Sequence, residues 1–178
     1  MKTEWLADGH EWLRIVDPAW ANPLDLSFAA VAGGRWNPPN SFPVLYLNED
    51  VVTARLNLRG FVAAWPYEPE DLRGDTGPML VGAGLPHRQR VVDVHTPGGV
   101  AAVELPSSYP YDTDGSLVSH RVCQPIGTAI EVTGKRGVRC RSARSPDGAG
   151  RELAWYPASS RSVAHLTSRL PFTNWYWG

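Results

Sequence analysis

The sequence predicts a strand-rich α+β fold, read as one domain over residues 1–178. Three observations carry that expectation. Short apolar or alternating runs of strand length recur along the chain, only two segments show a helical period, and clusters of Pro, Gly and Asn punctuate them. With 178 residues and 43% apolar side chains, the chain can bury one ordinary core. Its 16 prolines and 8 tryptophans suit a loop-rich fold with aromatic-lined recesses.

Glu11 to Val16 alternates loosely before Asp17-Pro18 and predicts a first strand carrying Arg14. From Ala19 to Asn40 the composition predicts a loop culminating in GGRWNPPN, where Gly33 and Gly34 permit backbone geometry closed to other residues. Pro43 to Leu47 predicts a buried strand with Tyr46 on it. NEDVVTARLNLRGFVAAW is the clearest helix, with Asp50 as N-cap and an apolar stripe of Val51, Ala54, Leu58, Phe61, Val62 and Trp65. Asn57 lies on or beside that stripe, so its amide requires partners; Arg55 and Arg59 fall nearer solvent.

After an acidic, turn-prone connection from Pro66 to Pro78, strands are predicted at Met79–Ala83 and Arg90–His95, followed by the long loop LPSSYPYDTDGS. CQPIGTAIEVTG predicts a second helix, with Pro125 near its first turn and Gly134 as its stop. GVRCRSA, RELAWYP and SVAHLT predict three more strands, the first two separated by the turn SPDGAG. The terminal WYW, Trp175 to Trp177, is expected to pack as a tail.

Lysine plus arginine number 17 against 18 acids, which leaves no whole-chain field for nucleic acid or an anionic membrane. No run approaches the ~20 apolar residues of a membrane span, and MKTEWLADGHEWLR lacks the apolar core of a secretory signal. A cytoplasmic protein is the expectation. Cys123 and Cys140 have no paired metal spacing, so no metal is expected and the thiols are read as buried. The cations are almost all arginine, with lysine only at Lys2 and Lys135. Arginine grips phosphate through its planar fork, although a G- and C-rich genome yields the same bias.

Three segments then stand out in order: LRIV followed by GGRWNPP, PVLYLNEDVVTARLNL, and GVRCRSA leading into LAWYP. Tyr46 follows Arg35 by 11 residues, and Asn57 follows Tyr46 by 11. Over Glu11 to Pro157 this pattern resembles the RES domain, named for an Arg, a Glu and a Ser. The resemblance implies a fold similar to the ADP-ribosyltransferase core, NAD as substrate, and a toxin-like enzyme restrained by an antitoxin protein. The implied reaction is glycohydrolase or phosphorylase cleavage of the nicotinamide–ribose bond, or ADP-ribose transfer to a protein. The departure is Asn57, where the family pattern has its Glu. That departure keeps open a nucleotide-binding module of the same fold without turnover.

Carried over position by position, the resemblance makes Arg14, Arg35, Tyr46, Asn57 and Ser142 the candidate catalytic residues. Arg14, Arg35, Tyr46, Ser142 and Arg144 become the candidate NAD contacts. Arg14 and Arg35 would grip the pyrophosphate or adjacent ribose, and either could instead form a structural ion pair. Tyr46 would stack on nicotinamide or simply belong to the core. Ser142 would reach a ribose hydroxyl or phosphate, or satisfy its own backbone, while Trp36 and Asn37 shape the loop. Asparagine at 57 keeps hydrogen bonding and loses the charge opposing a developing ribose cation, a loss on the order of 10²–10³ in rate. Asn57→Glu is therefore expected to raise activity. Asp93 and Glu104 are the remote acids that could replace it. His120, Cys123 and Gln124 are expected just before a helix start, where free N–H groups could hold phosphate.

Overall fold

Eight strands hydrogen-bond into one mixed sheet in the computed structural model, which describes residues 1–74, 76–145, 148–159 and 161–177. They are β1 (Thr3–Trp5), β2 (Glu11–Val16), β3 (Leu45–Asn48), β4 (Met79–Gly84), β5 (Arg90–Val94), β6 (Gly137–Arg141), β7 (Arg151–Trp155) and β8 (His165–Leu170). The helices are α1 (Ser27–Ala32), α2 (Val51–Val62), α3 (Pro97–Ala101), α4 (His120–Val132) and α5 (Phe172–Tyr176). Strand order is β1-β5-β6-β7-β3-β2-β4-β8. Only β5 and β6 run parallel, as their connection through α3 and α4 requires. The α+β expectation therefore holds.

Side chains alternate across this sheet and divide its packing. Val92, Val94, Val138, Cys140 and Ala154 face a core closed by Trp36, Tyr109 and α4. Leu45, Leu47, Leu153 and Trp155 face the opposite side with Trp12 and Val91. A third cluster joins Ala54, Leu58 and Val62 of α2 to Leu80, Phe172, Trp175 and Tyr176. The aromatic tail thus packs through α5, with Trp175 at 1% exposure, while Trp177 stays half exposed.

Helix α2 starts as expected: Asp50 is extended and its carboxylate accepts from Thr53 N at 2.7 Å. Its buried stripe is Ala54, Leu58 and Val62 at four-residue steps. Phe61, 58% exposed, and Trp65, 41% exposed, do not join that core, which corrects the wider stripe. Arg55 and Arg59 reach the tail, Arg55 donating to Trp175 O at 2.9 and 2.6 Å and Arg59 to the Tyr176 hydroxyl at 3.0 Å.

Three further corrections concern the elements. The Ala19–Asn40 loop contains α1, which Gly33 ends at φ +74°. Helix α4 begins at His120, so Pro125 lies inside it, and His120, Cys123 and Gln124 belong to the helix rather than preceding it. Gly134 at φ +72° follows its end as expected. The strand β1 and the short α3 and α5 carry too few residues for a readable period. The turn SPDGAG falls partly on Pro146 and Asp147, outside the described residues.

Asp50→Ala should lower folding stability by about 1 kcal/mol, because α2 loses a side-chain acceptor for an otherwise unpaired N–H. A urea titration checks this through its midpoint at constant slope; an unmoved midpoint would mean that solvent serves Thr53 N equally well.

Candidate functional site

β2 and β3 pair antiparallel at one position only, Leu13 with Asn48. Beyond it the ladder is not continued, and a cavity of about 540 Å³ lies where the two strands part. Arg14 and Ile15 line one lip, and Tyr46, Leu47 and Asn48 the other. The volume suits a nucleotide-sized ligand. Asn48 closes the vertex, its Nδ2 donating to Leu13 O at 3.2 Å.

The GGRW loop forms the wall above β3, and its shape is locked from three sides. Asn37, fully buried, donates to Ala29 O at 2.6 Å, while the Tyr46 hydroxyl donates to Asn37 Oδ1 at 2.8 Å and accepts from Trp36 N at 2.9 Å. A Cβ at Gly34 would lie 2.6 Å from Tyr46 Cζ, so glycine is what lets the backbone cross the ring. From α4, Gln124 donates to Gly34 O at 3.0 Å. At Gly127 a Cβ would run into the Trp36 carbonyl. Tyr46 therefore serves the core and the loop through its hydroxyl while still lining the cavity. Burial pushes its phenol well above the usual range, so it remains a neutral donor.

Arg35 extends from this loop into the cavity and donates to Val118 O at 2.8 Å. Arg14 donates to Pro23 O and Asp25 O, both at 3.0 Å, with its guanidinium 5.6 Å from the Trp20 ring centre. Neither forms an ion pair among the described residues, so the salt-bridge alternative is not what the structure contains. Arg144 lines the cavity as well, lying over Gly60 of α2 where a Cβ would come 2.6 Å from its Cδ. Burial and Arg35 together hold the His120 imidazole below its ordinary value, so it adds no charge at neutral pH.

Asn57 points inward, as the helix register predicts, and its amide is fully engaged. Nδ2 donates to Asn48 Oδ1 at 2.6 Å and to Glu152 Oε1 at 2.9 Å, and the Ser142 hydroxyl meets Oδ1 at 3.5 Å. Ser142 is 0% exposed and accepts from Arg144 N at 3.2 Å. It does not line the cavity; it reaches that space through Asn57. The candidate residues are thus brought together, five at the cavity surface and Ser142 directly behind it.

The remote acids named from sequence lie elsewhere. Asp93 accepts from His95 N and Thr96 N, pairs with Lys2 at 3.1 Å, and is held well below the usual carboxylate range by hydrogen bonds that outweigh its burial. Glu104 is exposed at φ +59°. Asp93, Glu4 and His95 cluster within 4.8 Å on the other face of the sheet, where Arg139 and Lys2 pair with them. Among the described residues the carboxylate at the cavity is Glu152 of β7, opposite Asn48 on one side and Cys140 on the other. Sequence reasoning passed over it inside RELAWYP, because strand alternation does not reveal that an adjacent strand has opened. Cys140 is pushed up to about 12 by burial and Cys123 is also raised, which keeps both thiols protonated.

The family model for the RES domain matches residues 3–173. The chain belongs to the RES-domain family. No curated protein matches it in sequence. Among solved structures it is similar to a chain of the crystal structure of the M. tuberculosis MbcT–MbcA toxin–antitoxin complex, with a TM-score of 0.75 and 20% identity. That match covers 99% of this chain and 92% of the other.

Tyr46→Phe removes a hydroxyl that serves Trp36 N and Asn37 Oδ1 at once, and should cost about 1–3 kcal/mol by leaving buried partners unmet. Equilibrium unfolding measures the loss. A variant as stable as wild type would show that the loop is held without this bond.

Proposed function

We propose that the protein cleaves NAD at the nicotinamide–ribose bond and acts as the toxin-like component of a toxin–antitoxin pair. The observation that carries this reading is the charge of the cavity: among the described residues three arginines and one glutamate line it, a formal surplus of two positive charges. A dinucleotide pyrophosphate supplies the two negative charges that such a site lacks. Family membership supports NAD as the ligand, and the toxin–antitoxin complex of similar fold supports the biological setting.

In this reading Arg14, Arg35 and Arg144 bind the pyrophosphate through forked, charge-assisted hydrogen bonds. The Tyr46 ring and the aromatic rim of Trp20 and Phe61 provide apolar faces for the nicotinamide and adenine. The bond between the ribose carbon and the pyridinium nitrogen breaks with its electron pair going to nitrogen, so neutral nicotinamide leaves. The ribose becomes oxocarbenium-like and is closed by the oxygen of water or inorganic phosphate. With water the products are ADP-ribose, nicotinamide and a proton. The protein contributes orientation and a fixed electrostatic environment.

Asn57 favours a second reading, a module of the same fold that binds the nucleotide without turning it over. Purified protein incubated with NAD, with and without phosphate, separates the two by nicotinamide release. Release with a phosphate-dependent rate identifies a phosphorylase, phosphate-independent release identifies a glycohydrolase, and binding without release identifies the module. Neither binding nor release would discard both.

Arg35→Ala should weaken NAD binding by about tenfold or more, since a charge-assisted bond contributes about 1.5–3 kcal/mol, while its melting temperature moves little. Calorimetric titration and thermal melts check the pair of effects. Wild-type affinity beside a large loss of melting temperature would make Arg35 a structural residue.

A further inference from the structure

We infer that Glu152 is the catalytic carboxylate of this site and Asn57 its positioning residue, so that the acid which family resemblance places at position 57 stands here one hydrogen bond away, on β7. The inference rests on the NAD-cleaving reading of the cavity. It deepens that reading by naming the group that faces the ribose.

Glu152 is the one carboxylate among the described residues lining the cavity. Its sheet face is otherwise built for a core: Ala154 and Cys140 flank it, and Val138 follows Cys140 by alternation. Glu152 is half-buried in that row, and among the described residues no cation pairs with it. What the carboxylate gains is a fixed place. Asn57 Nδ2 donates to Glu152 Oε1 at 2.9 Å and to Asn48 Oδ1 at 2.6 Å, while Ser142 meets Asn57 Oδ1 at 3.5 Å. The amide is oriented by two partners and holds the acid with its remaining hydrogen.

This pairing also accounts for asparagine at 57. Two carboxylates in hydrogen-bond contact cannot both stay ionised, since one would be forced to keep its proton. An amide opposite an acid keeps a single negative charge at the junction, and exchanging the two residues moves that charge by about one hydrogen-bond length. During cleavage the Glu152 carboxylate faces the ribose as the C–N electron pair leaves with nicotinamide. A water oxygen then bonds to the ribose carbon, and its proton passes to solvent.

The expectation that Asn57→Glu alone raises activity is accordingly replaced: it adds a second acid, removes the amide donor, and should lower turnover. Four proteins test the proposal, namely wild type, Glu152→Gln, Asn57→Glu and the exchanged pair Asn57→Glu with Glu152→Asn. Nicotinamide release is read as kcat and KM separately, and ADP-ribose affinity by calorimetry. Glu152→Gln should reduce kcat on the order of 10²–10³-fold with ADP-ribose affinity nearly unchanged. The exchanged pair should recover kcat to within about tenfold of wild type, a non-additivity that a merely structural pair would not produce. Should Glu152→Gln not fold, the exchanged pair decides alone: folded, able to bind ADP-ribose and yet inactive, it overturns the proposal. Wild-type kcat in Glu152→Gln overturns the proposal and leaves NAD cleavage standing. A wild-type protein that releases no nicotinamide overturns both.

Discussion

The site depends on how little β2 and β3 are joined. A regular sheet would continue their ladder past Leu13 and Asn48; here the pairing stops and the Asn48 side chain supplies a further bond to Leu13 O at 3.2 Å. Either side of this vertex the sheet is well connected, with β2 fully paired to β4 and β3 to β7. The opening is therefore a gap between two fully paired parts of the sheet. Side chains that would be buried in a continuous sheet become cavity walls, and polar residues at those positions keep their partners within reach.

A cavity at a strand junction needs a roof, and the GGRW loop provides it at a cost in backbone freedom. Its placement uses Gly33 to leave α1, Gly34 to cross Tyr46, and Gly127 on α4 to leave room for the Trp36 carbonyl. The bonds from Asn37 and Tyr46 then satisfy the loop's buried polar groups. Because these contacts occupy the loop's own dipoles, Arg35 is left to project into the cavity. Arg14 is similarly braced by backbone carbonyls and Arg144 lies against the surface of α2, and among the described residues neither pairs with an acid. Guanidinium groups held this way keep their charge available to an anionic ligand, and their rotamers are already ordered before it arrives.

Much of this was legible in the sequence where local chemistry decides structure. Asp50 before an apolar period announced α2, the glycine pair announced a constrained loop, and the equal steps from Arg35 to Tyr46 to Asn57 placed three residues that the structure gathers. The misplaced parts depend on contacts distant in sequence. Phe61 has the spacing of a core residue, but the sheet opens beneath it and it faces the cavity mouth instead. The start of α4 was hidden because proline usually marks a first turn, whereas Pro125 is tolerated further inside the helix. The short β1, α1, α3 and α5 depend on docking more than on propensity.

The acid illustrates the same limit at the level of chemistry. Position 57 is legible because a helix register assigns a direction, and in the motif alone its amide stands for a lost charge. Glu152 was not readable, since within RELAWYP it occupies an ordinary alternating place and nothing nearby distinguishes it from a solvent-facing glutamate. Only the register of β7 between β3 and β6, with Asn48 and Cys140 as its neighbours, turns its side chain toward the cavity. A site made of residues 95 positions apart is defined by the distance between side chains, here the 2.9 Å from Asn57 Nδ2 to Glu152 Oε1. What matters electrostatically is the net charge at that meeting point, and a motif that inspects one member of the pair reads half of it. An amide at the motif position is thus compatible with an intact charge pattern whenever the facing strand carries the acid.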